Sequence, residues 1–248
     1  MHLHALGRAR GARHVQCLLR DQQGYLWVGT VNNGLLRLTQ SGVEKFTSLR
    51  GLPNNRVAAL LIDREGSVWA GTNAGLLRLS DAPFSTWNGD QGLSDDYVRA
   101  LAESRDGSMW IGTSRGLNRW RGGKLEASYT AADGLPSDSV LSLLEDRDGS
   151  LLVGSYTAGL LRLRAGRVVA HYDNAHGMPG SNQVRALAQQ DDGTVWIGTT
   201  RGLRRIERDG TPILACQRVD GYQPPTWPVG PRPQYLHLDF AVDDLDAA

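Results

Sequence analysis

The chain has 248 residues, 40% of them hydrophobic and 30 of them glycine, enough apolar content for a real core and enough glycine for many tight turns. Its 27 basic and 26 acidic side chains leave a net charge of +1, which argues against a nucleic-acid partner or an anionic membrane surface. No apolar run nears the roughly 18 residues of a membrane span, and two cysteines, Cys17 and Cys216, do not make a disulfide framework.

Residues 1–12 read as an N-terminal tail. The region around Met1 to Val15 is rich in arginine and histidine and lacks the apolar stretch of a secretory signal. Five similar units then follow. The segment Asp21-Gln-Gln-Gly-Tyr-Leu-Trp-Val-Gly-Thr30 returns as Asp63-Arg-Glu-Gly-Ser-Val-Trp-Ala-Gly-Thr72 and as Ser104-Arg-Asp-Gly-Ser-Met-Trp-Ile-Gly-Thr113. It returns again at Asp146–Ser155 and at Gln190–Thr199. The turn glycines Gly24, Gly66, Gly107, Gly149 and Gly193 are 42, 41, 42 and 44 residues apart.

Each unit divides into four strands. An apolar run opens it, beginning at Val15, Val57, Val98, Val140 and Val184. A tight turn with glycine at a φ > 0 position follows, then the strand carrying Trp-x-Gly-Thr. A third strand follows, as in Gly75-Leu-Leu-Arg-Leu79, and a less regular fourth, as in Val43-Glu-Lys-Phe46 or Val168–Tyr172. Gly-Leu or Gly-Met pairs mark four of the junctions, and proline follows at Pro53, Pro136 and Pro179, where it stops a strand. Four short strands at this period predict an all-β fold, a β-propeller of five four-stranded antiparallel blades over residues 13–212, as a closed five-bladed ring or as an incomplete, open one. One blade cannot cover both its faces, so neighbours must stack. The column Trp27, Trp69, Trp110 and Trp196, with Leu152 in the fourth unit, is expected to supply that packing rather than a ligand platform.

No phosphate loop, Cys-x-x-Cys, His-Glu-x-x-His or Gly-x-Ser-x-Gly is present, and the six histidines do not follow the repeat, so neither an enzyme nor a cofactor is expected. A second column, Arg37, Arg78, Arg119, Arg162 and Arg205, reads as surface arginines paired with nearby carboxylates, the alternative being a ring for an anionic polymer. The candidate binding residues lie on the edge opposite the glycine turns. The loops between second and third strands carry Asn32, Asn33, Asn73, Arg115, Tyr156 and Arg201, and the connections between units carry Asn54, Asn55, Arg56, Tyr97, Asn182 and Gln183. Variable polar and aromatic side chains on a rigid scaffold suit hydroxyl-rich ligands, through hydrogen bonds and stacking. Ordinary polar loops are the competing reading.

The pattern Val-x-x-Leu-x-x-Asp-x-x-Gly-x-Leu-Trp-x-Gly-Thr-x-x-Gly-Leu-x-Arg resembles the two-component-regulator propeller repeat over about Val15 to Glu207. The resemblance implies the extracytoplasmic sensor of a membrane kinase or diguanylate cyclase, about seven blades per propeller, and a carbohydrate or related small polymer as ligand. It implies a periplasmic location and a signalling effector as partner. A full-length member adds a signal peptide, more blades, an immunoglobulin-like connector, a membrane helix and the effector, none of which is visible in this sequence.

Beyond Asp209 the repeat fades and prolines cluster. Residues 213–248, with Cys216–Pro228 and then Pro233-Gln-Tyr-Leu-His-Leu-Asp-Phe-Ala-Val-Asp-Asp-Leu, resemble the middle of a glyoxalase-like vicinal-oxygen-chelate protein. The resemblance implies His237 as a metal ligand. The other ligands have no counterpart, and a divalent ion needs several donors converging. These 36 residues cannot bury enough apolar surface to fold alone, so no independent domain and no metal are expected there.

Overall fold

A computed structural model describes residues 14–79, 85–176, 181–206 and 212–213. It contains five separate four-stranded antiparallel sheets, each strand paired with its sequence neighbour. Blade 1 is β1 (Val15–Arg20), β2 (Leu26–Thr30), β3 (Leu35–Leu38) and β4 (Val43–Phe46). Blade 2 is β5 (Val57–Ile62), β6 (Val68–Thr72), β7 (Gly75–Leu79) and β8 (Ser85–Trp87). Blade 3 is β9 (Val98–Glu103), β10 (Met109–Thr113), β11 (Leu117–Arg121) and β12 (Lys124–Tyr129). Blade 4 is β13 (Val140–Glu145), β14 (Leu151–Ser155), β15 (Leu160–Arg164) and β16 (Arg167–Tyr172). Blade 5 is β17 (Val184–Gln189), β18 (Val195–Thr199), β19 (Gly202–Ile206) and β20 (Pro212–Ile213). The protein is a five-bladed β-propeller. Helix among the described residues is confined to single 3-10 turns at Ser48–Arg50, Gly89–Gln91 and Ala131–Asp133, each closed by a left-handed glycine.

The inner strands pack in sequence, β1 on β5, β5 on β9, β9 on β13 and β13 on β17. Trp27, Trp69 and Trp110 of the tryptophan column, with Leu152, supply inter-blade packing. Trp27 joins Val57, Ala70 and Leu77 of blade 2, Trp69 joins Val98 and Ile111 of blade 3, and Trp110 joins Val140, Val153 and Leu161 of blade 4. Leu152 takes the same place against Val184 and Ile197 of blade 5. The indole N–H of Trp27 and of Trp69 donates to the turn aspartates Asp21 and Asp63 (2.8 and 2.7 Å), which satisfies the buried donor. In blade 4 leucine has no donor to offer, and Asp146 instead pairs with Arg162 at 2.8 Å.

The turn glycines all hold φ between 79° and 97°, as the Asp-Gly chemistry predicts. Beside them runs a set of clasps. Arg64 donates to the backbone carbonyls of Arg105 and Ser104 in blade 3 (2.8 and 3.1 Å). Arg105 does the same to Arg147 and Asp146 in blade 4 (2.6 and 3.3 Å), and Arg147 reaches the carbonyl of Asp191 in blade 5. Blade 1 has Gln22 at this position.

Blade 5 is completed by its own downstream strand: Ile206 pairs with Pro212 and Arg205 with Ile213. Blade 1 presents a further apolar face, with Val28, Leu36 and Leu38 buried, but none of the described residues of blade 5 joins that cluster. Among the described residues, no packing of the extent seen between successive inner strands joins β17 to β1. The N-terminal tail up to Arg13, and residues 214–248 with Cys216, His237 and the glyoxalase-like segment, lie outside the described residues.

Candidate functional site

The site is built where the inner strands begin. The chain enters each inner strand from the inter-blade connection, and that connection is tied by backbone to the loop between second and third strands of the preceding blade. Gly34 N–H donates to the carbonyl of Asn55, Gly75 to Asp96 and Gly159 to Asn182 (2.7 to 3.0 Å). The two loop families therefore share one edge, opposite the glycine turns.

The entry position, just before the first valine, holds His14, Arg56, Tyr97, Ser139 and Gln183. In every blade the next register step is irregular: Val98 faces Thr113 and Ala100 faces Gly112, so Arg99 is an extra, unpaired residue, a β-bulge. The same bulge recurs at Gln16, Ala58, Leu141 and Arg185. A bulge redirects a side chain and ends regular pairing locally. Two positions per blade, one on each side of the first-strand valine, thus stand outside the packed core at the start of each inner strand.

The structure spends several of the sequence-predicted site residues on the backbone. Asn54 Oδ1 accepts from the Arg56 N–H (2.8 Å), Asn55 Oδ1 from the Ser48 N–H (2.9 Å) and Asn182 Oδ1 from the Asn174 N–H (2.9 Å). Asp96 and Asp138 make the equivalent bonds to Gly89 and Ala131, so this position shapes the connection in four blades. Asn33 and Arg201 donate their backbone N–H groups to the threonine hydroxyls of Thr30 and Thr199. Arg115 pairs with Asp95 at 3.5 Å. Gln183 accepts from Arg185 at 3.3 Å.

Asn32 and Tyr156 are exposed on the rim, and Tyr156 is held by its backbone to the Ser139 carbonyl (2.9 Å). Asn73 has its Oδ1 buried without a hydrogen-bond partner. Of the predicted residues, Arg56 and Tyr97 come together: the Arg56 guanidinium carbon lies 5.9 Å from the Tyr97 ring centre.

Sequence reasoning missed Arg99. Its guanidinium carbon lies 4.4 Å from the same ring, and its Nη1 donates to Ser139 Oγ of the next blade at 2.9 Å. The available signal was an arginine inside the apolar run Val98-Arg-Ala-Leu101, a place that only a bulge makes tolerable. The arginine column behaves differently. Arg37 pairs with Glu44, Arg78 with Glu65 and Asp63, Arg119 with Asp106 and Glu126, and Arg162 with Asp146 and Asp148. Three of them also lie 5.3 Å from the tryptophan rings of their own blades. That column is part of the framework.

Two grooves of about 410 and 440 Å³ open on the opposite edge, at the glycine turns. None of the twelve predicted residues lines them. Arg64, Arg78, Arg105 and Arg119, which do, are already paired with carboxylates. Among the described residues no group of three or more His, Cys, Asp or Glu could hold a metal ion, and no helix is long and apolar enough to cross a membrane. Burial pushes the Cys17 thiol up to about 12, which keeps it protonated and unreactive.

Five stretches, residues 11–32, 51–74, 92–115, 134–157 and 178–201, match the family Two component regulator propeller. Similar solved structures include the extracellular domain of a protein named as a hybrid two component system from B. thetaiotaomicron. It is 21% identical with a TM-score of 0.69, over 80% of this chain and 28% of that one. A second is the extracellular domain of a protein named as a one component system from the same organism, 22% identical with a TM-score of 0.71, over 84% of this chain and 32% of that one. The chain thus spans less than a third of each. Virginiamycin B lyase from Staphylococcus aureus is 15% identical with a TM-score of 0.66, over 82% of this chain and 70% of that one. At these identities the likeness is one of fold, and the fold serves both kinds of protein. No curated protein matches the chain. Nothing in the comparisons supports the glyoxalase-like resemblance of the tail. Residues 11–201 carry five two component regulator propeller repeats, one for each blade.

Proposed function

We propose that the chain is the recognition propeller of a sensor, binding a carbohydrate or another small polymer on its loop edge and performing no chemistry of its own. Its output is a signalling effector of the two-component or cyclic-dinucleotide kind. One observation carries the reading. Across five repeats the framework positions recur, as in the valines Val15, Val57, Val98, Val140 and Val184, the last four of them buried, while the entry position just before them holds histidine, arginine, tyrosine, serine and glutamine. A scaffold that repeats and a rim that does not is the arrangement of a reading surface. The five matches to a regulator propeller family, and the extracellular sensor domains that share the fold, support the same reading.

A glycan array probed with the folded chain tests it. Binding to a defined saccharide class, lost when Tyr97 is replaced by alanine, is the expected result. A chain that ignores every glycan and instead captures a protein partner through the same edge would establish an interaction propeller in its place.

A further inference from the structure

We propose that Arg56, Tyr97 and Arg99 form a subsite for an acidic saccharide, one whose sugar units carry carboxylate or sulfate groups. The proposal rests on the carbohydrate reading above and names the class of sugar.

The argument begins with charge that the chain does not neutralise. Among the described residues, Arg56 and Arg99 make no ion pair, whereas the framework arginines Arg37, Arg78, Arg119 and Arg162 each do. Asp95 beside them is occupied by Arg115, by the Ser114 hydroxyl (2.7 Å) and by the Tyr97 N–H (2.8 Å), and Asp96 and Asp138 accept from the backbone N–H groups of Gly89 and Ala131. The Nε atoms of both Arg56 and Arg99 are buried without a hydrogen-bond partner. A guanidinium has five donors in a planar fork suited to two parallel bonds with a carboxylate or sulfate. Here two such forks, from adjacent blades, sit within 6 Å of one aromatic ring.

The placement is built in rather than incidental. Arg99 occupies the bulge, which frees its side chain from the blade faces, and Ser139 Oγ holds one end of its fork. Both guanidiniums lie over the Tyr97 ring, and an anion received there offsets the repulsion between two like charges. A ligand acid bridging both forks relieves that repulsion through their terminal N–H groups. Tyr156, exposed on the same edge, remains available for sugar hydroxyls.

Calorimetric titration of the full chain tests this with three oligosaccharides of equal length: a uronate polymer, a sulfated one and a neutral one. The acidic ligands should bind at least tenfold tighter than the neutral one and weaken as salt is raised. R56Q/R99Q should lose at least tenfold toward the acidic ligands, R99K, which keeps the charge but not the fork, should fall between that variant and the parent chain, and R167Q, on an exposed outer strand, should change nothing. The uronate and sulfate arms tell which acid is read. Acidic binding unchanged in a natively folded R56Q/R99Q, checked by circular dichroism, would overturn the proposal. So would a neutral ligand binding as tightly as the acidic ones, an outcome that leaves the carbohydrate reading intact. No binding by any of the three, with the glycan array also silent, would remove both.

Discussion

The face that blade 4 presents to blade 3 and the outward face of blade 1 are made from the same register positions, yet they are covered differently. Val140 is completely buried against blade 3, and its counterpart Val15 is 44% exposed. Leu143 packs against the blade 3–4 core, and its counterpart Leu18 is 57% exposed. Farther out the two faces agree, since Val153 and Val28 are both fully buried. Position in the repeat therefore fixes which way a side chain points, while the neighbour fixes what it contributes.

The largest effect expected from this contrast is in the leucines. Leu161→Ala empties a fully buried site in the blade 3–4 core and should cost about 2–5 kcal/mol. Leu18→Ala, on the uncovered inner strand, should stay within about 1 kcal/mol. Urea unfolding of the two variants checks it, and equal losses would mean that Leu18 is covered in solution.

A sharper version uses glycine. A Cβ at Gly112 would meet the Val140 side chain of the next blade at 2.4 Å, so Gly112→Ala should cost about 1–3 kcal/mol through overpacking. At Gly198 in blade 5 the nearest such contact is Ala186 of the same blade at 3.2 Å, with no valine from blade 1. Gly198→Ala should cost less than about 1 kcal/mol. Thermal unfolding midpoints of the pair would reveal a closed inner seam if the two losses matched.

Smaller again is the clasp. Arg105→Gln removes two bonds to blade 4 carbonyls but from an arginine that is 57% exposed, so about 1 kcal/mol or less is expected. Native-state hydrogen exchange should show the Asp146–Ser150 turn opening more readily in this variant.

The smallest effect is electrostatic. The Asp106 carboxyl is held down to about 2, chiefly by the Ser108 hydroxyl, then by the Ser108 N–H and the guanidiniums of Arg119 and Arg121. A carboxylate depressed below its unfolded value stabilises the fold at neutral pH and loses that contribution as pH falls from about 4 to about 2. The group is well solvated, so screening keeps the contribution below about 1 kcal/mol. Asp106→Asn should flatten the acid limb of the stability curve in that window and nowhere else.

Much of this was legible in the repeat. The spacing of Gly24, Gly66, Gly107, Gly149 and Gly193 specified the blades, and the carboxylates near Arg78, Arg119 and Arg162 specified their pairing, because both are local. The site was only half legible. Asn54, Asn55 and Asn182 read as ligand groups, but turn backbones left unpaired donors that these short side chains satisfy first. Arg56 meets Tyr97 across a blade boundary from 41 residues away, a contact that no single unit contains, and Arg99 reaches the same ring only because a bulge redirects it. The glycine of Trp-x-Gly-Thr read as strand composition, although its reason is the valine of the following blade.

The arginine clasps point one way. During synthesis the chain emerges from its N-terminus, and units fold as they appear. Arg64 has nothing to grip until the Ser104–Arg105 turn exists, Arg105 waits for Asp146 and Arg147, and Arg147 waits for Asp191. Each latch is therefore fastened by the unit made after its own. A chain that stops early carries an unfastened arginine at its last turn, so the molecule labels its own unfinished end.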